Sequence, residues 1–153
     1  MKSGSGQVNG QGAKKVLVVD DDEINRTVVR VFMEHRGCIV IEAPSGEEAL
    51  KLADLNSFDV VVMDLSMPHM DGFETTQLMR AGNKIPATTP IFALTAHNPE
   101  QNLAKCLEAG MNGILSKPFA ADRADQLMSL ISGASDHLPR ANAAMKDGDT
   151  PSK

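Results

Sequence analysis

The chain has 153 residues, 42% of them hydrophobic and 23% charged, with a formal net charge of −5 and five Phe but no Trp or Tyr. That length fits one domain with flexible ends, and that composition excludes a disordered chain. Acidity disfavours non-specific nucleic-acid binding, scarce aromatics leave no stacking platform for bases, and no apolar stretch approaches the roughly 20 residues that cross a bilayer.

Residues 1 to 13 are rich in Gly, Ser, Gln and Asn and read as a flexible arm or linker. They contain no apolar signal-peptide core, so a cytoplasmic chain is expected. KVLVVD gives a first strand over residues 15 to 20. Ile24, Val28, Val31, Phe32 and His35 then follow helical spacing, which predicts a first helix buried along those residues and stopped by Gly37. A second strand over 38 to 42 leads to Ser45, Gly46, Glu47 and Glu48. There Ser45 can accept from the Glu48 amide while the Glu48 carboxylate reaches back, a capping box.

FDVVVMD predicts a third strand over 58 to 64, continuously apolar as befits a strand covered on both faces. Asp71 and Gly72 make a turn and helix start, and a third helix from Phe73 to Arg80 turns Phe73, Thr76 and Met79 inward. After a fourth strand over 90 to 95, Asn98 as N-cap and Pro99 at the first helical position open a helix that Gly110 ends. A fifth strand over 112 to 116 is followed by a helix from about Ala121 with Ala124, Leu127, Met128 and Ile131 on one face. The polar stretch 133 to 153, broken by Pro139 and Pro151, reads as a flexible tail. Cys38 and Cys106 have no metal-ligand spacing and lie in packed runs, so buried free thiols are expected. Five βα units predict a single α/β domain over residues 14 to 132. Its architecture is a doubly wound five-stranded parallel sheet, flavodoxin-like, in the order 2-1-3-4-5.

The strand ends carry the chemistry. Asp20 and Asp21 follow the first strand, Asp64 the third, Thr95 the fourth, and Ser116 and Lys117 the fifth. In a parallel sheet those ends share the edge where ligands bind. Three carboxylates in one crevice repel one another and need a cation, and oxygen ligands beside water suit Mg2+. Asp22 and Glu23 read as N-terminal residues of the first helix, not as ligands. A carboxylate nucleophile, a divalent metal, a lysine and a hydroxyl suffice for phosphoryl transfer.

KVLVVDDDEINR, VVVMDLSMPHMDG, PIFALTA and GILSKPF, in this order and spacing, resemble the receiver domain of two-component response regulators and hybrid histidine kinases. The resemblance covers about Lys14 to Ser132. It implies that Asp64 accepts phosphate from a phosphohistidine, and that Asp20, Asp21 and Asp64 hold Mg2+ with the Ser66 backbone carbonyl. It implies also that Thr95, with Ala96, is the switch element, that Lys117 contacts the phosphate, and that the peptide bond from Lys117 to Pro118 is cis. Ser66 and His97, two positions after Asp64 and Thr95, would tune dephosphorylation. Receivers often carry an aromatic residue three positions before the lysine; Ile114 stands there, so an aromatic rotamer switch cannot operate.

The implied partners are a histidine kinase or histidine phosphotransfer protein and a downstream protein at the fourth helix, fifth strand and fifth helix, with no nucleic acid and no membrane. The phosphodonor would dock beside the first helix, with Asn25, Arg26 and Arg30 as exposed contacts. Such a chain catalyses its own phosphoryl acceptance and slow hydrolysis and is not a turnover enzyme. Two alternatives stand beside this reading. One is a small Mg2+-dependent phosphohydrolase of the haloacid dehalogenase type, whose Asp-x-Asp-x-Thr or Val pattern fails at Ile24. The other is a receiver-like interaction module that is never phosphorylated.

Overall fold

Short β-branched runs alternate with amphipathic segments throughout the computed structural model, which describes residues 13 to 82, 84 to 96 and 99 to 132. The expected arm (apart from Ala13) and tail, His97, and the N-cap role of Asn98 lie outside the described residues. In chain order the elements are β1 (Lys15–Val19), α1 (Glu23–Glu34), β2 (Ile39–Ala43), α2 (Gly46–Leu55), β3 (Val60–Asp64), α3 (Gly72–Ala81), β4 (Ile91–Thr95), α4 (Pro99–Ala109), β5 (Gly113–Ser116) and α5 (Ala121–Ser132). The strands form one parallel sheet in the order β2-β1-β3-β4-β5, as expected. No helix among the described residues is long and apolar enough to cross a membrane.

The continuous apolar runs are explained by two cores, one on each face of the sheet. Leu17, Val19, Val61, Met63, Ile91, Ala93 and Ile114 pack with Ala49 and Ala53 of α2, Met79 of α3 and Cys106 of α4. Their neighbours Val16, Val18, Val60, Val62, Phe92, Leu94 and Leu115 pack with Val29 and Met33 of α1 and Ala124 and Leu127 of α5. Both cysteines are buried free thiols.

Local signals set the helix ends. Asp22 caps α1 by accepting from the Ile24 amide at 2.9 Å, Ser45 caps α2 from Glu48 at 3.1 Å, and Asp71 caps α3 from Glu74 at 2.9 Å. Of the expected capping box at α2, the Ser45 half is made, while the Glu48 carboxylate lies 3.6 Å from the Lys51 ammonium. Gly37, at φ 87°, and Gly110, at φ 107°, adopt the left-handed conformation that closes α1 and α4. In the first closure the Cys38 amide donates to the Met33 carbonyl at 3.1 Å. That bond takes Cys38 out of the ladder, so β2 starts at Ile39, one residue later than expected.

One helical face differs from the expectation. The buried residues of α1 are Val29 and Met33, with Val28 and Phe32 partly covered, whereas Ile24 is 72% and Val31 53% exposed and His35 is exposed. At 100° per residue, Ile24, Val31 and His35 fall roughly 120 to 160° away from Val29, on the outward side. Their helical spacing suggested a core stripe, and they form a surface stripe instead. On α3, Thr75 joins Thr76 and Met79 inside because α2 approaches closely there. A Cβ on Gly46 would collide with the Thr75 hydroxyl.

Candidate functional site

Because all five strands run the same way, the turns after β1, β3, β4 and β5 meet at one edge of the sheet. Asp20, Asp21, Asp22, Asn25, Asp64, Ser66, Thr95, Ala96 and Lys117 line a crevice of about 260 Å³ there. The predicted Asp20, Asp21, Asp64, Ser66, Thr95, Ala96 and Lys117 are all among them, whereas Ser116 at the end of β5 is not. Nor is Ile114: it is 3% exposed and belongs to the core cluster that also holds Cys106 and Met111.

Asp20 is held by its backbone. Its amide donates to the Ala43 carbonyl at 3.1 Å, and its carbonyl accepts from Arg26 at 2.8 Å. Its carboxylate Oδ1 accepts from the Asp22 amide at 2.9 Å. Its Oδ2 is buried and has no hydrogen-bond partner among the described residues. Asp20 and Asp64 are 2% and 5% exposed, whereas Asp21 is exposed, and one oxygen from each of the three lies within 4.8 Å of the others. The Lys117 ammonium lies 3.3 Å from Asp64 Oδ1 and 3.9 Å from Asp20 Oδ2. The peptide bond after Lys117 is cis, and the Lys117 amide donates to the Thr95 carbonyl at 2.9 Å.

Burial, and after it the charge of Asp20, raises the Asp64 carboxyl from 3.8 to about 6, against the lowering influence of Lys117. Burial also raises Asp20, opposed by the Asp22 amide and Lys117. A buried carboxylate with an oxygen that accepts no hydrogen bond among the described residues, close to two more carboxylates, matches the donor set of a hard divalent cation. Lys117 alone leaves three negative charges facing one positive.

The turn after β3 has little room. The Gly72 amide donates to the Leu65 carbonyl at 3.3 Å, and a Cβ at Gly72 would collide with the Asp64 carbonyl oxygen. Gly72→Ala is therefore expected to lower stability by about 1 to 3 kcal/mol in urea unfolding and to displace Asp64. Unchanged stability would show that the turn has slack. His69, in the same turn, holds φ 69° with the Met70 amide bonded to the Pro68 carbonyl at 2.8 Å.

Arg26 and Arg30, expected as exposed docking contacts, both pair with Glu42, at 2.9 and 2.8 Å; the Arg30 side chain is 37% exposed as expected, whereas that of Arg26 is only 14% exposed. Sequence reasoning missed this inward role. The available signal was Glu42 itself, a carboxylate within an otherwise apolar strand.

The comparisons with known proteins agree with this geometry. The family model for the response regulator receiver domain matches residues 16–131. The chain is 40% identical over 111 residues to the osmosensing histidine protein kinase SLN1 of Saccharomyces cerevisiae, covering 69% of this chain and 9% of that protein. It spans between 9% and 17% of the length of such curated relatives. Its fold superposes on the receiver domain of sensor histidine kinase PA1611 from Pseudomonas aeruginosa, which has a magnesium ion coordinated in its active site cleft. That match has TM-score 0.69 and 30% identity over 78% of this chain and 98% of the other. The receiver domain of the S. cerevisiae response regulator Ssk1, solved with the histidine phosphotransfer protein Ypd1, matches with TM-score 0.72. Identity there is 25%, over 80% of this chain and 91% of the other.

Proposed function

The chain belongs to the response regulator receiver domain family, and on that premise we propose that Asp64 takes a phosphoryl group from a partner's phosphohistidine. The carrying observation is the meeting of Asp20, Asp21 and Asp64 at one sheet edge with Lys117 at 3.3 Å from the Asp64 carboxylate. Receivers accept phosphate as switches or relay intermediates and are not turnover enzymes. In the proposed step, one Asp64 oxygen forms a bond to phosphorus as the bond from phosphorus to the donor's imidazole nitrogen breaks. Lys117 offsets the incoming charge, and the Thr95 hydroxyl and Ala96 amide offer donors to the phosphoryl oxygens. Asp20, Asp21, Asp64 and the Ser66 carbonyl are the residues that would hold Mg2+, which when bound would offset the negative charge of the site. The buried Oδ2 of Asp20, which accepts no hydrogen bond among the described residues, and the Mg2+ in the related receiver of PA1611 support this.

The phosphodonor, a histidine kinase or histidine phosphotransfer protein, would dock on the outward face of α1. Ile24 and Val31 expose apolar surface there, and the same helix lends Asn25 to the crevice. The Ssk1 complex with Ypd1 supports such a partner. Output would pass through α4, β5 and α5 without an aromatic switch, because Ile114 is already packed in the core. Ser66 and His97 are proposed to set the lifetime of the acyl phosphate; an unchanged hydrolysis rate in His97→Ala would remove His97 from that role. A cytoplasmic site of action and slow self-catalysed hydrolysis belong to the same reading.

A phosphoryl mimic tests the assignment without a partner. Adding Mg2+ and beryllofluoride is expected to shift the backbone amide resonances of Ser66, Ala96 and Lys117. A spectrum unchanged at those amides would count against the reading.

A further inference from the structure

The turn that presents Asp20 and Asp21 is held from outside the crevice. Glu42 lies on β2 opposite Val18 of β1, on the sheet face that Val40 and α1 share. Two arginines one helical turn apart on α1 reach its carboxylate. Arg26 Nε donates to Glu42 Oε1 at 2.9 Å, and an Arg30 terminal nitrogen donates to Oε2 at 2.8 Å. The other arm of the Arg26 guanidinium donates to the Asp20 carbonyl at 2.8 Å. The Asp20 amide meanwhile donates to the carbonyl of Ala43, the next residue on β2, at 3.1 Å. The peptide groups on both sides of Asp20 are thus tied to the edge strand, one directly and one through Arg26 and Glu42.

Repulsion among Asp20, Asp21 and Asp64 acts to open that turn. Lys117 opposes it from within the crevice, near the space a cation needs; Arg26 opposes it from the backbone side and leaves that space clear. An arginine suits the task because its planar fork reaches a carboxylate and a carbonyl at once, which an ammonium on a flexible stem does not do in fixed geometry. The Arg26 side chain is 14% exposed and the Glu42 side chain 23%, so both belong to the folded framework.

We propose that Arg26, oriented by Glu42, is a positioning residue for the cation site: it holds the turn after β1 so that Asp20 and Asp21 face Asp64. This rests on the phosphoacceptor reading above, since that reading supplies the cation. Partners of this kind typically change metal affinity by about tenfold to a hundredfold.

Calorimetric titration of the full chain with Mg2+ tests it. Arg26→Gln and Arg26→Lys are each expected to bind Mg2+ about tenfold to a hundredfold more weakly than wild type. Glu42→Gln keeps one acceptor and is expected to lose severalfold. Arg36→Gln, in the turn that follows the same helix, breaks the 2.8 Å pair with Asp125 and is expected to lower the melting temperature and leave Mg2+ affinity unchanged. Wild-type affinity in folded Arg26→Gln would overturn the inference, as would an equal loss in Arg36→Gln. Should Arg26→Gln not fold, wild-type affinity in Glu42→Gln overturns it and a weakened one supports it. A wild-type chain that binds no Mg2+ contradicts the phosphoacceptor reading itself, and the two failures are thereby told apart.

Discussion

Replacing Asp64 with Asn is expected to raise the stability of the metal-free protein by about 2 to 3 kcal/mol at pH 7.5, while abolishing phosphoryl acceptance. Asp64 is 5% exposed, and burial, together with the Asp20 charge, raises its carboxyl from 3.8 to about 6. The unfolded chain releases this proton near 3.8 and the folded chain only near 6. Between those values the folded chain binds more protons, so its stability falls as pH rises. The cost is absent below the lower value and complete above the upper one. Asp20, raised in the same direction, adds to it. Urea unfolding of wild type without metal should therefore show stability declining from pH 4 to pH 7, and Asp64→Asn should flatten most of that decline. Added Mg2+ should restore wild type at neutral pH and do much less for the variant. A wild-type profile that is flat over this range, with no gain in Asp64→Asn, would mean that the crevice carries no electrostatic strain.

Lys117→Met has the second large effect, because it removes the ammonium that lies 3.3 Å from Asp64 and 3.9 Å from Asp20. The side chain keeps its length and loses its charge. Both carboxyls should rise further, since Lys117 lowers each of them. With the lysine side chain 24% exposed, the stability lost at neutral pH without metal is about 1 to 2 kcal/mol, less than for a fully buried pair. Phosphoryl acceptance from acetyl phosphate should slow by roughly tenfold to a hundredfold, the scale of losing one donor to developing negative charge. Mg2+ should stabilise Lys117→Met more than it stabilises wild type, because the cation then faces the carboxylates alone. Acceptance at the wild-type rate would make Lys117 a structural cation only.

The sheet and its working edge were legible because each strand is an apolar run that stops on a polar residue, and parallel βα topology sends every such stop to the same place. Asp20 and Asp64 could be told from Asp22 in the same way. The first two sit at strand ends, where burial makes an unpaired carboxylate costly, while Asp22 sits where a helix begins and caps it. The face of α1 was not legible in this way. Ile24 and Val31 are apolar at helical spacing, and nothing local shows that a stripe of that kind faces solvent or a partner. The pairing of Arg26 and Arg30 with Glu42 was hidden for a different reason. It depends on the register that sets Glu42 beside Val18 and under α1, a tertiary fact that a linear pattern does not contain. Ile114 was visible as a departure from the usual aromatic position. That it is 3% exposed and already buried in the core cluster with Cys106 and Met111 required the fold.

The central claim is that Asp64 is the phosphoacceptor, and intact-mass spectrometry after incubation with acetyl phosphate and Mg2+ tests it most directly. The account predicts one phosphoryl adduct on wild type, mapped to Asp64 by digestion, dependent on Mg2+ and absent from Asp64→Asn. A wild-type chain that gains no adduct, or an Asp64→Asn chain that gains the same one, would contradict it.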